Sequence, residues 1–457
     1  MKIVVIDDDP TGSQTLHGCP LLLRWDVDVL RKGLRHPSPI LFVLANTRAL
    51  LPDAAAACNR EICQSLQLAF AAEGLAPMDV LLVSRGDSTL RGHGVLEPQV
   101  INEELGPFDA TLHVPAFLEG GRTTVNGVHL LDGVPVHTTS FALDKLFGYS
   151  TSDLASWLEE KSCGCIPAAT VQRLSLAQLD GAAEPVAQRG GEGMRALLSW
   201  LGDLHDNQPT VVDAERPEQL AALGRAVEQL RGSKRFLFRS AASLLNGLAN
   251  LGPQPLGAEG LARMRRRDQL GVLLPGMVMV GSHVPLADVQ LERLLEAPQC
   301  VGLELPVARL AQVLESSEAD LLLADLERQW LAQLAVVLKS GRTPVLFSSR
   351  GELGFPSAVD RLRFGTALAQ LMGRLAGALL PQLGYLISKG GITTHTLLAE
   401  GLGLVAVQLE GQLLPGLSLV RALTDGGQRQ ELPIVTFPGN LGDAQTLLDA
   451  WRLMEAC

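Results

Sequence analysis

Aromatic residues are scarce in this 457-residue chain, 4% in all, with two tyrosines and five tryptophans. Single-stranded nucleic acid is gripped largely by stacking bases on aromatic rings, so a nucleic-acid platform is not expected. Positive charge is short as well. The 38 Lys and Arg face 49 Asp and Glu, a formal net charge of −11, and such a field repels nucleic acid and acidic membranes. Within that deficit lysine nearly vanishes, 7 against 31 arginines, which favours planar, two-pronged contacts with anions. The seven cysteines are an odd, scattered set. Cys163-Gly164-Cys165 comes nearest to a metal or redox spacing but has no second pair, so reduced thiols are expected. Long apolar runs are missing too. The N-terminal run of four apolar residues ends in three acids, too short for a signal peptide. The most apolar later stretch, 375–387, holds Pro381 and falls short of the roughly 20 residues of a membrane span. A cytoplasmic protein with neither nucleic acid nor membrane as partner is the expectation.

Familiar catalytic signatures are absent in turn. There is no GxxxxGK[ST] phosphate loop, no HRD or DFG set, no GxSxG elbow and no HExxH among nine histidines. The string Gly401-Leu402-Gly403-Leu404-Val405-Ala406 has dinucleotide spacing but precedes a strand instead of following one.

What is present is a core-forming composition, 47% apolar and 19% charged. Short β-branched runs alternate with longer helical patterns, which predicts parallel sheets flanked by helices. Strands are expected over 3–6, 40–45, 80–84, 110–114 and 210–212, with a helix over 53–73. A Gly- and Pro-broken basic stretch, 252–276, reads as a connection. Beyond it strands are expected over 277–280, 299–303, 344–347, 385–387, 404–407 and 434–437, and helices over 286–296, 320–338, 358–379 and 443–454. The fold class is therefore α/β, in two domains, 1–252 and 253–457, each a mainly parallel sheet, with a ligand cleft between them.

The chemistry-bearing residues follow the strands, where open α/β sheets place ligands. Asp7-Asp8-Asp9-Pro10-Thr11-Gly12 puts three carboxylates at one strand exit, and they need an arginine, a metal or hydroxyl donors to offset their repulsion. Ser84-Arg85-Gly86-Asp87-Ser88-Thr89-Leu90-Arg91-Gly92 gathers arginine forks for a carboxylate, an acid and hydroxyls for a polyol, and glycines for close approach. Asn46-Thr47-Arg48 and Gly120-Gly121-Arg122-Thr123-Thr124 furnish two further exits. In the second half, Gly281-Ser282-His283, Ser388-Lys389-Gly390-Gly391-Ile392-Thr393 and Phe437-Pro438-Gly439-Asn440 are small-residue turns, two of them ahead of a helix. Such turns leave backbone N–H groups free for phosphate, and Lys389 adds a cation.

Taken together, DDDPTGSQTLHG, NTRAL, SRGDSTLRGH, PAFLEGGRTTVNGVH, VMVGSH, SKGGITTH and FPGNLGDAQTL resemble the four-carbon acid sugar kinase family, in its YgbK-like branch, along nearly the whole chain. The resemblance implies an N-terminal sugar-acid-binding domain, a C-terminal nucleotide-binding domain and ATP-dependent phosphorylation of a terminal hydroxyl on threonate, erythronate or a 3-oxo form. It also implies substrate contacts at Asp8, Asp9, Arg48, Arg85, Gly86, Asp87 and Ser88, to which the residue pattern adds Arg91. Nucleotide contacts are implied at Ser282, Gly390, Gly391, Ile392, Thr393 and Gly439, with Lys389 and Asn440 added by the pattern. This chain has Arg85 where many members have lysine, and Ile392 where some have an acid. ATP and Mg²⁺ are the expected cofactors, with no metal ligands assigned. Asp9 and Asp87 are both candidates for the base. The partners are a small anionic sugar acid and ATP, with a homodimer as the commonest assembly. A non-catalytic sugar-acid sensor and a kinase of another small hydroxy acid are the rival readings.

Overall fold

The computed structural model describes residues 1–10, 12, 15–184, 191–350, 354–355, 357–423 and 432–456. Thr11, in the first carboxylate motif, lies outside them. The chain divides into two units, Met1–Pro253 and Gln254–Cys457.

In chain order the first unit holds β1 (Lys2–Asp7), β2 (Cys19–Leu22), β3 (Ile40–Leu44), β4 (Val80–Arg85), β5 (Ala110–Val114), β6 (Arg122–Val125), β7 (Val128–Leu131), β8 (Val134–Pro135), β9 (Gln172–Leu174), β10 (Gln208–Val212) and β11 (Phe236–Ser240). Eight of them make a parallel sheet in the order β2-β3-β1-β4-β11-β5-β10-β9, and β6, β7 and β8 form a small antiparallel sheet of their own. The central strands are near-continuous apolar runs because helices cover both faces of a parallel sheet. From β1 the chain steps through β2 and β3 on one side, then returns as β4 on the other. The direction reverses between β1 and β4, where such sheets open a crevice at their carboxyl ends. Register puts Asp7 beside Leu44 on one side and Arg85 on the other. The helix Pro52–Glu73 starts on a proline, whose missing N–H costs nothing in the first turn, and stops at Gly74 with φ 67°.

The second unit holds β12 (Gly276–Val280), β13 (Cys300–Leu305), β14 (Thr343–Ser348), β15 (Tyr385–Lys389), β16 (Ala406–Leu414), β17 (Leu417–Ala422) and β18 (Ile434–Phe437). Its order is β13-β14-β12-β15-β18-β17-β16, parallel as far as β18, with β17 antiparallel to both neighbours. The same reversal recurs between β12 and β15. No described helix is long and apolar enough to cross a membrane.

The structure adds to the expected elements and corrects several. The strand expected over 404–407 starts at Ala406 and continues to Leu414, as the first arm of a hairpin. The helix expected from 443 begins at Thr446, because the Asp443 carboxylate accepts from Gln445 N and Thr446 Oγ1 in a capping turn. The segment after β5 folds into the small sheet. Strand β11 was not anticipated: Phe236–Ser240 carries Arg239 inside an otherwise apolar run, which hides it from a hydrophobic pattern.

Candidate functional site

At the reversal of the first sheet, charged side chains lie in two tiers. Beneath are Asp7 and Asp8, each 1% exposed, with Arg85 at 4%. The Arg85 guanidinium reaches both carboxylates, Nη1 standing 3.5 Å from Asp7 Oδ1 and 3.5 Å from Asp8 Oδ1. Burial pushes Asp7 up to about 7, against the pull of Arg85 and with Asp8 and Asp9 adding to the rise. Burial likewise pushes Asp8 up to about 6, although Arg48, Arg239 and Arg85 oppose it. One oxygen of each, Oδ2, has no hydrogen-bond partner.

Above them are Asp9, Arg48, Asp87 and Arg91, whose side chains keep 10 to 24% of their surface open. Arg48 pairs with Asp9 and stands 3.5 Å from Asp87 Oδ1, while Arg91 Nε donates to Asp87 Oδ2 at 2.8 Å. Burial would raise the Asp87 carboxyl, but Arg91, Arg48 and the Thr89 hydroxyl hold it well below the usual carboxylate range. Glycines admit this crowding. A Cβ on Gly12 would overlap the Asp7 carboxylate, one on Gly86 would overlap the Arg239 guanidinium, and one on Gly92 would sit 3.0 Å from Asp8 Oδ2.

The loop bearing Asp87 and Arg91 is pinned from outside. Leu90 adopts φ 64°, a left-handed conformation that costs a bulky residue about 1–3 kcal/mol. Its side chain packs with Tyr149 and Trp157 in a buried cluster, a gain of similar size, about 1.5–3 kcal/mol. Tyr149 Oη donates to Thr89 O at 2.7 Å. His129, on β7, lies 2.7 Å from Ser88 O through Nε2 and 2.9 Å from Thr124 Oγ1 through Nδ1. A carbonyl only accepts, so Nε2 carries the proton and Nδ1 accepts from the threonine. Burial pushes this imidazole down to about 4, which keeps it neutral. On β6, Arg122 is 8% exposed and within electrostatic reach of Asp87.

Sequence reasoning missed two members of the site. Arg239 on β11 donates to Ser84 Oγ at 2.7 Å, pairs with Glu97, and stands 3.8 Å from Asp8 Oδ2. Glu97 also accepts from Thr47 Oγ1. An arginine ending an apolar strand and an acid opening the helix Leu96–Leu105 were the available signals. Arg85 and Asp8, expected to touch substrate, lie in the lower tier, whereas Asp9, Arg48, Asp87 and Arg91 occupy the more open one. Gly86 lies against the Arg239 guanidinium, and buried Ser88 offers its carbonyl to His129.

In the second unit three turns meet around Ser282. Gly390 has φ 118°, and a Cβ there would come within 3.2 Å of Ser282 N, while one on Gly439 would come within 2.6 Å of Ser282 Oγ. A Cβ on Gly281 would overlap the Thr393 hydroxyl. The turns are tied by Gly281 N to Lys389 O at 3.0 Å and Gly390 N to Phe437 O at 2.9 Å. Gly391, Ile392 and Thr393 open the short helix after β15, with Ile392 42% exposed. Asn440 follows Gly439 in the turn after β18. Lys389 is placed otherwise than a phosphate-binding lysine would be. It is fully buried, its ammonium donates to Pro438 O at 3.0 Å and Gly439 O at 3.2 Å, and it lies 3.9 Å over the Phe437 ring. Burial, then Arg350, pushes it down to about 7. Lys389 therefore braces the turn after β18 from beneath.

Comparison with known proteins agrees with this division. Residues 3–248 match the family model described as a sugar-binding N-terminal domain, and residues 277–447 match that of a nucleotide-binding C-terminal domain. The chain is 26% identical over 477 residues to D-threonate kinase of Salmonella typhimurium, covering 100% of this chain and 99% of that one. It is 28% identical over 190 residues to D-erythronate kinase of Heliobacterium modesticaldum, 39% of this chain and 41% of the relative. Solved structures from Salmonella typhimurium LT2 (TM-score 0.67, 18% identity) and Haemophilus influenzae (TM-score 0.60, 16% identity) share the fold over 99% of both chains. With both domain models matched in order along its length, this protein belongs to the four-carbon acid sugar kinase family.

Proposed function

We propose that the protein transfers the γ-phosphoryl group of ATP to the terminal hydroxyl of a four-carbon acid sugar of the threonate, erythronate or 3-oxo-tetronate type. The observation that carries the reading is the furnishing of both sheet reversals, guanidiniums and carboxylates at β1/β4 and glycine turns at β12/β15. The charge count of the first supports an anionic polyol. Asp7, Asp8, Asp9, Asp87 and Glu97 face Arg48, Arg85, Arg91, Arg122 and Arg239. A proton held by Asp7 or Asp8 near neutral pH leaves one positive charge in excess, the complement of a carboxylate. The names of the kinase relatives point to the same substrate class.

In the reaction the substrate O–H bond breaks, an O–P bond forms to the γ-phosphorus, and ADP leaves. Arg48 and Arg91 hold the acid in line, a positioning effect. Asp87, engaged by two guanidiniums, is a poor proton acceptor and orients those arginines instead. The proton passes to the carboxylates at the exit of β1, with Asp9 the outermost. Among the described residues no group of three or more His, Cys, Asp or Glu is placed to hold a metal ion. Mg²⁺ commonly binds through nucleotide phosphates with few protein ligands, so it enters as part of the substrate Mg·ATP.

A coupled ADP-release assay over threonate and erythronate enantiomers, their 3-oxo forms and longer sugar acids tests the reading. One four-carbon acid should be turned over in preference to the rest. Binding of an acid sugar without ADP release from any of them would favour a sensor; turnover of a different hydroxy acid alone would shift the substrate class.

A further inference from the structure

We propose that Arg350, at the exit of β14, binds the terminal phosphates of the nucleotide, an assignment that rests on the nucleotide half of the reading above. Strand β14 pairs with β12, Phe347 beside Val280, so its exit adjoins the Ser282 turn. Arg350 Nη1 donates to Ser282 O at 2.8 Å, and Nε stands 2.9 Å from Asp288 Oδ1 on the helix Pro285–Leu295. The first contact anchors one arm of the guanidinium; the second is an ion pair that leaves Nε without a hydrogen bond. Nη2 is buried and makes no hydrogen bond. A buried donor left unmade is costly, and an anion brought to this turn would relieve it. A planar fork with one arm anchored and the other unsatisfied is suited to phosphate oxygens. The lysine that the motif offers is committed elsewhere, to the carbonyls of Pro438 and Gly439. Counter-charge for the phosphates therefore comes from the guanidinium attached to the Ser282 turn.

Calorimetric titration of the full chain with ATP in the presence of Mg²⁺, and with AMP, separates this role from a structural one. Arg350→Ala should weaken ATP about ten- to hundredfold, the usual worth of a charge-assisted hydrogen bond. AMP, which lacks the terminal phosphates, should lose less than about twofold. Arg350→Lys should recover part of the ATP affinity, and Arg350→Gln carries the same comparison if the alanine variant fails to fold. Equal losses for ATP and AMP would overturn the assignment, as would ATP binding unchanged from wild type. Wild-type protein that binds neither nucleotide would instead overturn the nucleotide reading itself, and the Arg350 assignment with it.

Discussion

Two aspartates that look alike in the sequence are given opposite characters by their neighbours. Asp87 accepts from Arg91 and Thr89 and faces Arg48, so its charged form is favoured and its readiness to take a proton is low. Burial raises the proton affinity of Asp7 and Asp8 at the exit of β1, and Asp9 is the more open carboxylate beside them, so a proton released near pH 7 has acceptors on that side of the site. Asp87→Asn should loosen Arg48 and Arg91, raising KM for the acid sugar about tenfold with kcat changed only a few-fold. Asp9→Asn should instead cut kcat by about 10²–10⁴-fold with little effect on KM. Steady-state kinetics of both variants, with circular dichroism as a fold check, distinguishes them. The reverse pattern would return the proton-accepting role to Asp87.

At the scale of an element, β11 decides more than its five residues suggest. It slots between β4 and β5 and carries Arg239 to the underside of the site, where Glu97, Ser84 and Asp8 meet. Arg239 is 7% exposed and Glu97 2%, so the pair is desolvated. Removing one partner of such a pair strands a buried charge, and Arg239→Met should destabilise the protein by about 3–5 kcal/mol. Arg239→Met combined with Glu97→Gln should recover most of that loss, because no ionised group is left without its partner. Urea unfolding of the single and double variants reads this directly. No recovery in the double variant would mean that Arg239 contributes by packing alone.

For the whole molecule, the two units carry separate chemical tasks on one sheet plan. Each runs from its first strand to one side and returns on the other, so each places its loops at a carboxyl-end crevice. Hydrogen exchange should therefore separate by ligand. Mg·ATP should slow exchange in 281–284, 389–394 and 437–441, and the acid sugar should slow it in 7–9, 46–48 and 85–92. Protection of the first-unit loops by nucleotide alone, with the second-unit turns unchanged, would contradict the division of labour.

Much of this was legible along the chain. Apolar runs ending in Asp7, Arg85, Ser282 or Lys389 marked both the strands and the exits, because a buried parallel strand must be apolar and its loop must carry the polar work. Motif order along the chain supplied the family. What the chain could not reveal was depth. Asp8 and Asp9 are adjacent in sequence, yet one lies in the buried tier and the other above it, since successive residues leave a strand in different directions. Lys389 resembled a phosphate ligand in its motif, and only the carbonyls of Pro438 and Gly439, in the turn after β18 and 49 and 50 residues later, turn it inward. Arg239 and Arg350 stood outside every motif and gained their places through strand pairing. The sequence by itself determined the apolar central strands and the side chains that leave their ends; tertiary structure alone decided where a strand such as β11 joins the sheet and which charges face one another, because pairing brings together residues that the chain keeps far apart.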